Sequence, residues 1–367
     1  FGSSLLAREE GDAGTAPRAP RSQMRRPRSV LGRVLALRLV LWQGCGALAA
    51  DQSSWTCDEL TPELCQLRVE AGSTTVRGLR LNYWLYGEPG GGTPLVLAHG
   101  GPGWSHDYIL PLKQQACRGR QVLFYDQVGA GASERPTDAR RSAPWLFTLD
   151  YYAEELSALL AHVGWKEYHF LGNSWGTIVG QVFALTKPPG LKAVVLSGPL
   201  SDAQLYIDAQ WDSNDGSIGS LPPFLKERIR ALEAEKAYDS VEYQSIDSTL
   251  TSFFTVRTYP PPDCMLRAAA GVNREIYVGM QGASEFTLGG VLTDLNLTGR
   301  LHEIQNPVLL TSGRFDTMRP RCVEALLHAL PRAEWRVFPH SGHVSMIDDA
   351  GLMNDAVAEF LARADAG

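Results

Sequence analysis

The 367-residue sequence is short of several features that decide a protein's class. After residue 50 it has no run of 18 or more uncharged apolar residues, so no membrane-spanning helix is expected in the body of the chain. It has no basic stripe. The formal net charge is −6; residues 1–50 carry eight Arg, no Lys and three acidic residues, which leaves the rest of the chain at −11. An acidic body without clustered Lys and Arg argues against nucleic acid as a partner, because binding phosphates needs concentrated positive charge. No Cys-x-x-Cys occurs and no His pair stands at ligand spacing, so no metal site is expected. Internal repeats are missing too. A composition of 44% hydrophobic and 20% charged residues is that of an ordinary globular protein, which excludes a disordered or collagen-like chain.

The first 50 residues read as a segment outside the fold. From Met24 the order is Arg25, Arg26 and Arg28, an apolar stretch from Val34 to Trp42, and then Ala47-Leu48-Ala49. That is the three-part order of a secretory signal with a small-residue cleavage site, so a secreted or lumenal protein is expected. Arg33 and Arg38 interrupt the apolar part, and the absence of acids between Met24 and Asp51 also suits an organelle transit peptide. A cytoplasmic protein with an uncleaved tail is the third alternative. Six cysteines are present: Cys45, Cys57, Cys65, Cys117, Cys264 and Cys322. Cys57 and Cys65 are close enough in sequence to bridge a short loop in an oxidising compartment; the alternative is that all six are isolated thiols.

From residue 75 onward, β-rich runs alternate with helical ones. Strands are expected at 76–86, 94–99, 121–126, 168–172, 191–197, 307–312 and 335–339, and helices at 151–163, 177–185, 321–330 and 355–364. Runs such as Leu95-Val96-Leu97-Ala98 are apolar throughout, as strands covered on both faces of a parallel sheet must be. The expected fold class is therefore α/β, with a mainly parallel sheet flanked by helices. Residues 51–198 and 301–367 form its core. Residues 199–300 contain no readable sheet strand, and they are expected to be a mostly helical cap inserted between two strands.

Three segments carry chemistry. Gly172-Asn173-Ser174-Trp175-Gly176 follows a strand and opens a helix, the context that makes G-x-S-x-G a nucleophile elbow. Serine is a poor nucleophile at neutral pH and needs a base oriented by a third group. In this arrangement the acid and then the histidine follow the serine in the chain. Asp316 and His343 each stand just beyond an expected strand end, where open α/β sheets build their sites. His340 competes as the base; Gly342 favours His343, and Asp348 and Asp349 read as surface acids. The second segment, His99-Gly100-Gly101-Pro102-Gly103, can supply an unobstructed backbone N–H, so the oxyanion hole is expected from Gly101 and Trp175. The third, Asp126 to Ser133, has neither the Lys-Ser/Thr nor the glycine spacing of a phosphate loop and reads as a tight turn.

Together, His99–Gly103 with His106-Asp107-Tyr108, Asp126–Ser133, Gly172–Gly176, Gly313–Asp316 and Ser341–His343 make the chain resemble the prolyl aminopeptidase (proline iminopeptidase) family, which includes the tricorn-associated aminopeptidases. The resemblance implies an α/β-hydrolase fold and a serine aminopeptidase without a cofactor. Such an enzyme releases one residue, often proline, from a peptide with a free N-terminus. Gly282-Ala283-Ser284-Glu285-Phe286 looks like the family's acidic cap segment. Glu285, and with less support Glu275, are the expected partners of the substrate ammonium, since a buried unpaired charge is costly. Asn173 and Ala132 depart from the family pattern, where Gly and Arg are common. A carboxylesterase or amino-acid amidase on the same scaffold is the alternative.

Overall fold

Arg77-Gly78 turns the chain back on itself with φ of 47° and 84°, the two positive values of a tight hairpin turn. The turn joins β1 (Val69–Val76) to β2 (Leu79–Tyr86) as an antiparallel pair. The strand expected over 76–86 is thus β2 together with the turn before it, and only Val76 of that range belongs to β1. β1 escaped the pattern because most of it is exposed and lacks apolar alternation. The computed structural model describes Cys57 and residues 65–367. The leader-like segment, with Met24 and Cys45, lies outside the described residues.

β3 (Gly92–Ala98), β4 (Arg120–Asp126), β5 (Tyr168–Asn173), β6 (Leu191–Ser197), β7 (Val308–Gly313) and β8 (Ala333–Phe338) complete an eight-stranded sheet. Its order is β1-β2-β4-β3-β5-β6-β7-β8, and every pair beyond β2–β4 is parallel. Successive residues of one strand feed opposite cores: Val96 and Ala98 join one, Leu95 and Leu97 the other. Both faces are therefore apolar, which explains the unbroken hydrophobic runs. Helices α1 (Leu149–Val163), α2 (Trp175–Leu185) and α8 (Pro320–Ala329) supply the first core; α9 (Ala350–Ala366) supplies the second.

Between β6 and β7 lie five further helices: α3 (Ala203–Trp211), α4 (Pro223–Ala234), α5 (Val241–Phe254), α6 (Asp263–Ala270) and α7 (Arg274–Met280). Side chains cap three of them. Asp202 accepts from Leu205 N–H, Ser240 from Tyr243 N–H, and Asn273 from Glu275 N–H. Ile218, Ile229, Leu250 and Phe286 form a small separate core there.

Two disulfides join Cys57 to Cys264 on α6 and Cys65 to Cys117, with Cα–Cα distances of 5.8 and 5.7 Å. The bridge considered between Cys57 and Cys65 is therefore not formed, because each has a partner far away in sequence. Cys322 is a buried free thiol. Among the described residues, no helix is long and apolar enough to cross a membrane.

Candidate active site

The sheet changes direction of assembly at β3: β4 lies on one side and β5 on the other. Ligand sites of open α/β sheets form at such a switch, beyond the carboxyl ends of the strands. His99–Gly103 leaves β3 there, and Ser174 stands between β5 and α2. Ser174 has φ 53° and ψ −121°, a region that non-glycine residues rarely enter and that costs about 1–3 kcal/mol. The turn closes only because its neighbours are glycines. A Cβ at Gly172 would come within 2.2 Å of the Gly176 carbonyl oxygen, and one at Gly176 within 2.3 Å of that of Ala98. Ser174 N–H donates to Ser197 O at 2.9 Å, which fixes the elbow to β6.

His343 and Asp316 come from the loops after β8 and β7. His343 Nδ1 donates to Asp316 Oδ1 at 2.7 Å, and both residues are buried. Met318 N–H also donates to Asp316 Oδ1. His343 Nε2 has no hydrogen-bond partner and lines the same cleft as Ser174. Burial disfavours the charged imidazole. The Asp316 carboxylate, its hydrogen bond and the Glu285 charge outweigh that effect and raise the His343 pKa. An imidazole with one nitrogen held and the other open to the cleft can take a proton from a serine hydroxyl. His340, by contrast, is exposed and gives its N–H to Asp349.

Gly342 matters for a reason other than loop freedom. A Cβ there would meet Phe254 O at 2.9 Å and Thr255 O at 2.8 Å, so the end of α5 packs directly on the histidine loop. Phe254 O accepts from both His343 N–H and Thr317 N–H, and Thr255 O accepts from Val344 N–H. Asp348 and Asp349, expected as surface acids, fasten this junction. Asp348 accepts from Arg257 N–H, Thr258 N–H and Gly342 N–H; Asp349 accepts from His340 N–H and the Ser341 hydroxyl. No sequence periodicity marks them, because their partners are backbone groups of another segment.

Around the glycine-rich loop, Tyr108 Oη accepts from Gly100 N–H at 2.6 Å and donates to Asn173 Oδ1 at 2.7 Å. His99 is fully buried, and its Nε2 accepts from Gln127 N–H. Its proton therefore sits on Nδ1 and goes to Gly100 O at 2.9 Å. It is a loop-fixing residue. Gln127 Oε1 accepts from the Trp175 indole at 2.8 Å. Trp175 is the first residue of α2, so its N–H has no acceptor within the helix, and Gly101 lines the cleft beside Ser174. Residues 126–133 form a tight turn. Asp126 accepts from Ala132 N–H and pairs with His106 at 2.8 Å. Burial would raise the Asp126 pKa, but the His106 bond and charge bring it down to about 2.

Glu285 reaches the cleft and Glu275 does not. Glu285 Oε1 lies 4.0 Å from His343 Nε2, and its Oε2 accepts from Tyr277 Oη at 3.1 Å. Burial raises its pKa, opposed by the His343 charge and the Tyr277 bond. Glu275 Oε1 instead accepts from Arg140 N–H on the outside of α7, away from the cleft lining. Trp104, Met265 and Val344 supply apolar walls that no motif announced. Among the described residues, Cys57, Asp263 and Cys264 lie at metal-ligand spacing, but the two sulfurs are joined to each other.

A serine in a strained strand-to-helix turn, beside an imidazole held by a carboxylate at the end of a parallel sheet, defines the class: an α/β-hydrolase. Residues 93–350 match the family described as the alpha/beta hydrolase fold. The proline iminopeptidase of Heyndrickxia coagulans is 35% identical over 79% of this chain and 98% of its own. That of Clostridioides difficile is 32% identical over 80% of this chain and 99% of its own. The crystal structure of the Mycobacterium smegmatis proline iminopeptidase superposes with a TM-score of 0.74 at 25% identity, over 81% of this chain and 99% of that one. The chain belongs to the proline iminopeptidase family of α/β-hydrolases.

Proposed function

We propose that the protein is a serine aminopeptidase that releases an N-terminal residue, with proline preferred, from peptides through an acyl-enzyme. The observation that carries this reading is Glu285, a carboxylate 4.0 Å from His343 Nε2 to which, among the described residues, no Lys or Arg is ion-paired. Among the described residues, a carboxylate so placed lacks a Lys or Arg cation. The α-ammonium of a substrate whose carbonyl sits at Ser174 supplies one, whereas an esterase has no use for it. Proline iminopeptidases among the relatives support the choice of residue.

Ser174 Oγ attacks the carbonyl of the N-terminal residue while His343 Nε2 takes the hydroxyl proton. Asp316 holds the Nδ1–H tautomer and stabilises the imidazolium. The N–H groups of Gly101 and Trp175 receive the developing oxyanion; losing one such donor costs about 10²–10³ in rate. His343 returns the proton to the leaving amine as the C–N bond breaks. Water, deprotonated by His343, then attacks the ester, and Ser174 departs with its proton restored. Glu285, whose carboxylate accepts from the Tyr277 hydroxyl, holds the substrate ammonium throughout.

The arginine-rich, apolar segment before Asp51 and the two disulfides support a secreted or lumenal location, since disulfides persist where thiols are oxidised. The functional test compares prolyl-naphthylamide with its N-acetylated form and with a short-chain nitrophenyl ester. Cleavage that disappears on acetylation is expected. Ester cleavage with no need for an amine would move the reading to carboxylesterase.

A further inference from the structure

Beneath the cleft runs a chain of buried polar groups for which neither the proton transfers nor the ammonium contact accounts. Ser217 Oγ donates to Gln210 Oε1, which orients the amide on α3. Gln210 Nε2 then donates to Thr317 Oγ1 and to Thr317 O, each at 2.7 Å. Tyr206 lies four residues earlier on the same helix. Its Oη donates to the Glu285 carbonyl at 2.6 Å and stands 3.3 Å from Thr317 Oγ1. The single hydroxyl proton of Tyr206 is committed to Glu285. Thr317 Oγ1 accepts from Gln210, so its own proton is left to point at Tyr206 Oη. The bonds therefore run in one direction, from Gln210 through Thr317 and Tyr206 to the backbone of Glu285. All three linking side chains are fully buried, where aligned hydrogen bonds strengthen one another.

The ends of this chain are what give it meaning. Thr317 is the residue after Asp316, and its N–H is bound to Phe254 O. Glu285 is the carboxylate that faces His343. One tyrosine on α3 thus touches both the backbone of the ammonium acceptor and the residue next to the acid that orients the base. We infer that Tyr206 is a positioning residue for specificity: it holds Glu285 in register with the His343–Asp316 pair, so that amine recognition and acyl transfer occur at one fixed separation. Without the hydroxyl, the Glu285 carbonyl loses its buried donor and the segment that carries the carboxylate is free to shift. The inference rests on Glu285 as the ammonium acceptor.

The test is Tyr206→Phe beside Glu285→Gln, with rates normalised to fluorophosphonate-titrated active sites so that any unfolded fraction drops out. The readout is the ratio of kcat/KM on prolyl-naphthylamide to kcat/KM on p-nitrophenyl acetate, which has no amine. The ratio is expected to fall about tenfold in Tyr206→Phe, chiefly through a higher KM for the amine substrate. Parallel loss on both substrates would mean that Tyr206 supports acyl transfer through Thr317 and not amine recognition, and unchanged rates on both would mean that it positions nothing; either result overturns the inference. Glu285→Gln separates the two claims. If its ratio falls while that of Tyr206→Phe does not, the positioning role alone fails. If its ratio stays at the wild-type value, the ammonium acceptor is misassigned and the inference fails with it.

Discussion

Two carboxylates, the partly buried Glu285 and the fully buried Glu155, show how the surroundings of single residues set measurable pH behaviour. The Glu285 charge is one of the groups that raise the His343 pKa. The general base must be neutral to act, so the acidic limb of kcat/KM is expected above the ordinary imidazole value. Glu285→Gln removes that charge and should move the limb to lower pH, measured on an amine-free ester so that substrate binding does not intervene. A limb that stays in place would disprove the coupling. Glu155 is fully buried on α1; its Oε2 accepts from Val128 N–H, while Oε1 has no partner. Burial raises its pKa to about 8, opposed by the Val128 bond and by Tyr151. Folding thus favours the protonated form, and its stabilising effect is complete below the unfolded value near 4.5 and is lost as pH rises through about 8. Urea unfolding should show the wild type losing stability across that window by at most about 1.4 kcal/mol per pH unit relative to Glu155→Gln. Parallel curves would contradict this. Ser174, Asp316 and His343 were legible in the sequence because an elbow motif and two strand ends mark them. Glu155, Tyr206 and Asp348 were not, because their partners belong to other segments.

Among the elements, the end of α5 is the one whose placement joins the inserted helices to the chemistry. Its last carbonyls accept from the histidine and acid loops, and Asp348 closes the junction through Arg257, Thr258 and Gly342 N–H groups. Asp348→Asn turns an amide donor toward at least one of those N–H groups. It should cost about 1–3 kcal/mol of stability and lower kcat about tenfold, read by denaturant unfolding and by turnover per titrated site. Full activity per site would show that the junction does not position His343. The parallel strands could be read from the sequence because both of their faces are buried, as the split of Leu95 and Leu97 from Val96 and Ala98 shows. β1 could not, since it pairs at the sheet edge with most of its residues in water. The helices from α3 to α7 lie in a region read from the sequence only as mostly helical, although Pro222-Pro223 opens α4 and Pro262 immediately precedes α6.

For the whole molecule, the two disulfides tie distant parts together, with sequence separations of 207 and 52 residues. No local spacing could reveal pairs that far apart, which is why the short Cys57–Cys65 bridge was considered at all. Cys57–Cys264 anchors α6, whose Met265 lines the cleft, and Cys65–Cys117 fastens the chain just before β1 to the segment before β4. Replacing Cys65 with Ser should lower stability by about 2–4 kcal/mol, and a reducing agent should lower the thermal midpoint of the wild type. Melting that is indifferent to both would contradict these bridges. The account as a whole turns on Ser174 carrying the N-terminal residue of the substrate. Its most direct test is an acid quench during prolyl-naphthylamide turnover, followed by peptide mapping by mass spectrometry. The peptide containing Ser174 is predicted to gain the mass of one prolyl group, with no gain in Ser174→Ala or with the N-acetylated substrate. Turnover without such an adduct, or undiminished turnover by Ser174→Ala, would contradict it.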